Sequence, residues 1–460
     1  MGVINTVKRW INMFFERDIK EQFGVVDVTS QIMLVNITKC ANIYQGRPPW
    51  LSEGDNIRTV NFAKVVASET ARLTTLAIGV AFDKGARGQW LSSQFERMYF
   101  KFRHWAEYGI AFGTVILKPN GSGVDAYLPG QFAITSTNAA GEIDGAVFRD
   151  TYEDGGYSYT RLEYQRFVGE QYVITNKAFK SANDNSKGKA VALTETKWGD
   201  LLDEVAIENI EKPLFGVYRT PEANNIEFDS PLGMPQFKEC IEELRGLDIA
   251  YSKNVEEIED SGKIVFISDS MTMKAGQNLR GQRKGLTLPR FVTNLFGTAT
   301  ETFYKETTPS LNPEQRIQGI NNQLDFISYK SGYSPGYFRF DGRTGMVTAT
   351  QVEADDRRTI QTIKDYRDKL EHCLDGLIYA LSKFADLYNL SPAMEYEVAY
   401  SFGDITYSYE EDKASWWKYR LQGDIPPWMY FVKFEGMSED EAKETVEAAM
   451  VKPPDLFEEE

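Results

Sequence analysis

The hydrophobic patterning of this chain predicts an α+β protein, and three observations carry the assignment. Residues 1–108 place apolar side chains at helical spacing, and residues 109–220 change to a period of two. From residue 230 onward, two helices of similar length flank a small insert and lead into a longer helix. The length, 460 residues, gives room for two to four domains or subdomains. A hydrophobic content of 42% and an aromatic content of 13% are those of a folded protein.

At the N-terminus, Val3, Val7, Trp10, Ile11, Phe14 and Phe15 fall at helical spacing beside Lys8 and Arg9. Met1-Gly2-Val3-Ile4-Asn5-Thr6 also fits the short myristoylation pattern. A helix packed on its own protein or a neighbour is the simpler reading, and membrane contact is the other. No small-residue cleavage site follows, and no apolar run reaches the ~18 residues of a membrane span, so neither a signal peptide nor a membrane partner is expected. Helical stripes continue through Phe62, Val65, Val66, Leu73, Leu76 and Ala77, then through Trp90, Phe95, Tyr99, Phe102 and Trp105.

Short strand candidates follow at Thr114–Leu117, Asp125–Leu128, Phe132–Thr135 and Ala146–Asp150, with longer ones at Tyr157–Phe167 and Gln171–Phe179. Asp154-Gly155-Gly156 and Gly169-Glu170 supply turns between them. Trp198–Asn209 reads as a short helix. Ser230-Pro231 is a start signal for the next helix, whose face is Ile241, Leu244, Tyr251, Val255 and Ile258, with Asp248 filling the gap. It ends near Ser261-Gly262, and strand runs Ile264–Ile267 and Phe291–Leu295 mark a compact insert. Asn312-Pro313-Glu314-Gln315 opens a second helix with the stripe Ile317, Ile320, Leu324, Ile327.

A loop with four glycines spans residues 332–347 and is expected to be mobile. A helix of some forty residues, about 60 Å long, then runs to Ser391-Pro392, with Gly376 a candidate bend. Glu395–Tyr407 reads as strand, Trp416-Trp417 and Pro426-Pro427-Trp428 as packing anchors, and Ser438-Glu439-Asp440-Glu441 as a capping box before an acidic tail, Glu458–Glu460.

Charge excludes some functions. The formal net charge is −16, unlike that of a protein that grips duplex DNA through cations set against phosphates. Residues 263–305 reverse the sign: Lys263, Lys274, Arg280, Arg283, Lys284, Arg290 and Lys305 face only Asp269 and Glu301, a local +5. Such an insert is either a solvated loop or a contact for an acidic protein or a nucleic-acid backbone. Cys40, Cys240 and Cys373 are widely spaced and odd in number, which reads as reduced, buried thiols. With two histidines, His104 and His372, the chain is a poor candidate for transition-metal chemistry, and no cofactor fingerprint is present. Glu353, Asp355 and Asp356 could ligate a divalent cation, but complementing a helix dipole is the simpler role.

Gly332-Tyr333-Ser334-Pro335-Gly336 fits the nucleophile-elbow pattern GxSxG. The physics argues against a serine hydrolase. The elbow should follow a strand, and its oxyanion hole needs the N–H that Pro335 lacks. Only His372 follows Ser334, and it falls inside a predicted helix.

Taken in order, several segments resemble the portal (head–tail connector) proteins of tailed bacteriophages, especially long-tailed phages of Gram-positive hosts. They are Ser230-Pro231-Leu232-Gly233-Met234 with Leu247-Asp248-Ile249-Ala250-Tyr251; Phe338-Arg339-Phe340-Asp341-Gly342 with Gly345-Met346-Val347-Thr348-Ala349-Thr350-Gln351-Val352; and Gly403-Asp404 with Gly436-Met437-Ser438-Glu439-Asp440-Glu441-Ala442. Tyr44-Gln45-Gly46 and Asn61-Phe62-Ala63-Lys64 agree too, while Gln351 stands where the family shows an acid.

The resemblance implies a portal fold. Residues 1–229 would be a wing with the β-rich insert 109–220, 230–261 and 307–331 a helical-hairpin stem, and 262–306 a small α/β clip. Residues 332–347 would be a tunnel loop, 348–409 the long wing helix and a strand, and 410–460 a helical crown and acidic tail. It also implies a homo-oligomeric ring of roughly twelve subunits at one capsid vertex. Terminase motor, head–tail adaptor, major capsid and scaffolding proteins would be its partners. Double-stranded DNA would pass through without sequence readout, in packaging and in ejection. The site residues it implies are Tyr337, Phe338, Arg339, Phe340, Asp341, Arg343 and Met346 in the channel loop, and Lys263, Lys274, Arg280, Arg283, Lys284 and Arg290 on the clip. A portal is not an enzyme. It belongs to the virion and passes through the host cytoplasm during assembly. Another head–tail structural or adaptor protein is the alternative, though adaptors are usually much shorter.

Overall fold

The computed structural model describes residues 17–52, 57–121, 123–182, 188–260, 264–268, 294–295, 304–307, 312–340, 349–403, 416–417, 420, 425–435 and 437–450. The amphipathic segment 3–15 and the tail 458–460 therefore lie outside the described residues. The architecture is mixed α+β, in two compact units: Met1–Thr75 with Gly79–Tyr400, and Leu76–Ile78 with Ser401–Glu460.

The larger unit begins with helix over residues 17–23, then α1 (Gln31–Tyr44), α2 (Phe62–Thr74), a short strand β1 (Gly79–Phe82), α3 (Ala86–Glu96) and α4 (Tyr99–Phe112). Ser30 caps α1 by accepting from the Met33 N–H at 3.2 Å. Of the predicted stripes, Phe62, Val66 and Leu73 on α2, Phe95 on α3, and Phe102 and Trp105 on α4 are buried, while Leu76 and Ala77 fall beyond the end of α2 and Trp90 and Tyr99 are half-buried. Val65 points outward, because Val66 occupies the inward position.

The period-two region forms two antiparallel sheets. One is three-stranded, with β2 (Thr114–Pro119) between β3 (Val124–Tyr127) and the later β10 (Gly216–Arg219). The other runs β4 (Phe132–Thr137), β5 (Ile143–Asp154), β6 (Tyr157–Val168), β7 (Gln171–Ser181), β8 (Lys189–Val191), with β9 (Glu204–Ile207) also pairing β7. Ile116, Tyr127, Ile134, Phe148 and Phe215 share one core cluster across the two sheets. The helix predicted over 198–209 is not formed. Trp198 sits in a turn, where it packs on Tyr152 at 4.9 Å between ring centroids, and the following residues pair as β9.

The Ser230-Pro231 start signal does not open a helix either. Residues 230–237 run through the interior, where side chains satisfy the backbone: the Gly233 N–H donates to Thr114 Oγ1 (2.8 Å), and the Met234 carbonyl accepts from Thr220 Oγ1 (2.7 Å). Gly233 and Gly113 touch backbone to backbone, and a Cβ at Gly113 would stand 2.2 Å from the Gly233 carbonyl oxygen. Helix α5 begins only at Ile241 and runs to Asp260.

Helix α6 (Pro313–Lys330) returns antiparallel to α5. Arg316 pairs with Glu257 (2.5 Å) near one end and Lys330 with Glu243 (2.6 Å) near the other. Between the two helices, β11 (Ile264–Ser268) pairs in parallel with β12 (Asn294–Leu295) and antiparallel with β13 (Tyr304–Thr307). Burial fades along the hairpin toward these strands: Leu244, Leu324 and Ile327 are buried, while Tyr251, Ile258 and Ile317 are exposed. Asp248 fills the gap in the α5 stripe because it ties α5 to the chain before α2. Its carboxylate accepts from Trp50 Nε1 and from the Val60 N–H, both at 2.8 Å.

The long helix, α7 (Ala349–Leu387), has 39 residues. At Gly376 it meets strand β10, since a Cβ there would stand 3.1 Å from Gly216 Cα. Its C-terminal end is held by the fully buried Arg87, which donates to the carbonyls of Ser382 (2.6 Å) and Ser391 (3.1 Å) and to Asp386. Beyond α7 lies strand β14 (Val398–Ser401), shorter than the predicted 395–407, of which 404–407 are outside the described residues.

The smaller unit contains α8 (Pro427–Glu435) and α9 (Glu439–Met450). The capping box forms as predicted, with the Glu441 N–H donating to Ser438 Oγ (3.3 Å) and the Ser438 N–H to Glu441 Oε2 (3.0 Å). Trp416 packs on Phe434 and Trp417 on Tyr430. Cys40, Cys240 and Cys373 are buried free thiols, and burial pushes the first two up to about 12.

Candidate functional site: an anchored aromatic turn

The segment between α6 and α7 is the centre of interest, and residues 331–340 of it are described. Helix α6 ends when the Ser331 and Tyr333 N–H groups donate back to the carbonyls of Ile327 (3.0 Å) and Ser328 (2.8 Å). Gly332 takes φ +89°, a left-handed conformation a side chain would strain, and a Cβ there would sit 2.7 Å from Thr362 Oγ1. Glycine is therefore required on two grounds, and it turns Tyr333 inward to complete burial.

Under Tyr333 lies a polar knot. Its hydroxyl is 2.5 Å from Thr70 Oγ1, which in turn reaches Gln236 Oε1 (2.7 Å) and the Val66 carbonyl (2.9 Å). Thr70 has one proton for two acceptors, so Tyr333 is the donor to Thr70. Gln236 Nε2 closes the knot on the Ser331 carbonyl at 2.8 Å. Three distant stretches of chain thus meet at one hydroxyl. Burial raises the Tyr333 phenol above its ordinary range, which keeps it protonated as that geometry requires.

The opposite wall is α7. The Ser334 N–H donates to Thr359 Oγ1 (3.0 Å), and Thr362 Oγ1 donates to the Gly332 carbonyl (2.7 Å). Ser334 is 1% exposed, with its hydroxyl 3.1 Å from Thr359 Oγ1. His372 lies on the surface 3.3 Å from Glu142 Oε1. The GxSxG match is thus a buried turn packed on a threonine.

Tyr337, Phe338, Arg339 and Phe340 are brought together on the outer side of the turn. The Tyr337 hydroxyl donates to Glu69 Oε1 (2.6 Å), and Arg72 bonds the same carboxylate at 2.6 Å. The Arg72 hydrogen bond holds the Glu69 carboxyl below the usual range, and burial raises the Tyr337 phenol. Phe338 meets Phe62 edge-to-face at 5.3 Å and Tyr333 at 5.0 Å. Arg339 Nε donates to Asp325 at 2.8 Å, and the Phe340 N–H to Asn321 at 3.3 Å, while Phe340 is 70% exposed.

Asp341, Arg343 and Met346 lie outside the described residues, as do Lys263, Lys274, Arg280, Arg283, Lys284 and Arg290 of the clip. The same holds for the side chains of Glu353, Asp355 and Asp356. Among the described residues, no group of three or more His, Cys, Asp or Glu is placed to hold a metal ion, and no helix is long and apolar enough to cross a membrane.

Sequence reasoning missed Glu69, Thr70, Gln236 and Thr359. Thr70 carried a signal: it stands four residues from Val66 and three from Leu73, a polar residue on an apolar stripe.

Comparison with protein-family profiles returns no match, and neither does comparison with curated proteins. Among solved structures, the chain is similar to one described as the virion of a native gene transfer agent particle, with a TM-score of 0.42, 10% identity, and coverage of 92% of this chain and 99% of that one. A second is described as the neck of a native gene transfer agent particle computed with C12 symmetry, with a TM-score of 0.38, 9% identity, and coverage of 91% and 98%.

Proposed function

We propose that this chain is the subunit of a portal ring in a tailed-phage-like particle. The ring, of roughly twelve copies, stands at one capsid vertex and provides the channel through which genome DNA is packaged and ejected. The hairpin α5–α6 is the stem, residues 262–306 are the clip that docks the terminase motor and later the tail adaptor, and the part of residues 332–347 that lies beyond the buried turn, from Tyr337 onward, lines the channel. Major capsid and scaffolding proteins complete its partners. The chain itself performs no catalytic step, and ATP hydrolysis belongs to the motor.

One observation carries this reading. A helical hairpin clamped by Glu257–Arg316 and Glu243–Lys330 brackets a three-stranded insert and passes through an anchored turn into a 39-residue helix. That is the order the sequence resemblance calls for. Charge supports it: a wall that neutralised many phosphates would add affinity at each and stall a sliding duplex, whereas a chain of net charge −16 offers little to hold it.

Electron microscopy of the purified protein tests the reading. Annular particles with a central hole are expected. Protein that stays monomeric and also fails to join procapsids overturns it.

A further inference from the structure

Asn120 follows β2 and opens the turn to β3, and it combines three features that no other asparagine of the chain has together. It is exposed, its amide oxygen Oδ1 accepts from the Gly123 N–H at 2.8 Å, and its successor is glycine. Its own N–H donates to the Gly123 carbonyl at 3.0 Å, which folds the turn over the side chain. Asn120-Gly121 is the one Asn-Gly pair in the sequence. Gly121 takes φ +88°, and an added Cβ there would find nothing nearer than Phe384 Cζ at 3.9 Å. Two other asparagines have the same kind of oxygen contact without the rest. Asn138 Oδ1 accepts from the Ala140 and Glu142 N–H groups, both at 2.9 Å, but Ala139 follows it. Asn224 Oδ1 accepts from the Ile226 and Glu227 N–H groups, both at 3.0 Å, but that residue is buried and Asn225 follows it.

We propose that Asn120 is a self-modification site, where the folded turn converts the asparagine to aspartate and isoaspartate with water as the only co-reactant. Hydroxide takes the Gly121 amide proton, and that nitrogen attacks Asn120 Cγ. As the new C–N bond forms, negative charge collects on Oδ1, where the Gly123 N–H already stands as an oxyanion donor. The Cγ–Nδ2 bond then breaks, Nδ2 takes a proton from water, and ammonia leaves behind a cyclic imide. Water adds to either imide carbonyl and opens the ring, to aspartate or to isoaspartate. Nothing is oxidised or reduced. Glycine at 121 decides the rate, because a Cβ there would crowd the attacking nitrogen. Isoaspartate routes the main chain through the former side chain and so adds a carbon to the turn. That insertion falls beside the Pro119–Val124 register pair and two residues from Lys118, so it strains the end of the β2–β3 ladder.

Ageing the full chain in mildly alkaline buffer tests this, with peptide mass spectrometry and an isoaspartate methyltransferase label as readouts. Asn120 is expected to convert to both products at least about tenfold faster than Asn138 or Asn224, at a rate that rises with hydroxide. Asn120→Gln keeps the amide but needs a larger ring to close, and it is expected to lose the label at this turn. The same chain aged in urea is the reference for the unfolded sequence. Asn120 that stays intact in the folded chain overturns the inference; conversion in urea alone would mean that the turn protects the residue. Asn138 keeping pace with Asn120 overturns it as well, since the glycine would then decide nothing. So does a label at the turn that persists in Asn120→Gln. The readout concerns one chain and no partner, so it stands or falls apart from the portal reading.

Discussion

The pair of sheets and the helical hairpin both rely on ion pairs of similar length, yet they use them in opposite ways. In the sheets, Lys118 of β2 reaches across to Glu163 of β6 at 2.5 Å, with the two side chains 3% and 8% exposed. Arg161 joins the same carboxylate at 2.8 Å and Asp150 at 2.6 Å, and the Tyr127 hydroxyl donates to Asp150 at 2.7 Å. In the hairpin, Lys330 meets Glu243 at 2.6 Å but remains 38% exposed. Distance does not separate the two regions; solvent does. A buried charge that loses its partner cannot recover hydration, whereas an exposed one exchanges a lysine for water. The sheets are locked by their ions, and the hairpin is only trimmed by them.

The sharpest way to break this contrast is Lys118→Met. The substitution keeps the stem packed near Tyr127 and Phe148 and leaves Glu163 short of one cation between two sheets. A loss of about 3–5 kcal/mol is expected in urea unfolding. Adding Glu163→Gln should restore much of it, since the uncompensated charge is then gone. A loss below about 1 kcal/mol would place this pair in the same class as the surface pairs.

The next effect is acid sensitivity. Burial alone would raise the Glu163 carboxyl, but Lys118 and Arg161 outweigh it and bring it down to about 2 from 4.5. A carboxyl depressed in the folded state contributes stability that is complete above its unfolded value and disappears as pH falls toward the folded one. The melting temperature should therefore drop between pH 4.5 and 2, and Glu163→Gln should flatten that drop. A profile identical in wild type and variant would assign the acid response to other carboxylates.

Much of this contrast was legible in the sequence, though unevenly. Periodicity is a local property, so the long helix, the Asn312-Pro313 start, the Ser438–Glu441 box and most of the strands could be read directly. The misreadings arose where tertiary contacts override a local signal. Ser230-Pro231 is as good a turn as a helix start, and the Thr114, Thr220 and Ile110 partners of residues 233–236 take the backbone groups a helix would need there. At the candidate site, Tyr337 and Phe338 stood out as loop aromatics. Their seats on Glu69 and Phe62 lie more than two hundred residues away in sequence and have no local signature. Lys118 and Glu163 were invisible for the same reason: alternation tells which face a residue takes, not which residue it meets across two sheets.

The smallest effect is also the sharpest control. Lys330→Ala removes the pair with Glu243 and the bond from Lys330 Nζ to the Glu239 carbonyl at 3.2 Å. Lys330 keeps access to water at the end of α6, so the expected loss is below about 1 kcal/mol, shrinking further in high salt as screening replaces the lysine. Measured in the same urea series as Lys118→Met, it should leave the slope of the unfolding transition unchanged and move only its midpoint. If Lys330→Ala instead costs as much as Lys118→Met, solvent would not be what separates the hairpin from the sheets. The buried Glu243 Oε2, which has no hydrogen-bond partner, would then have to be treated as part of the core.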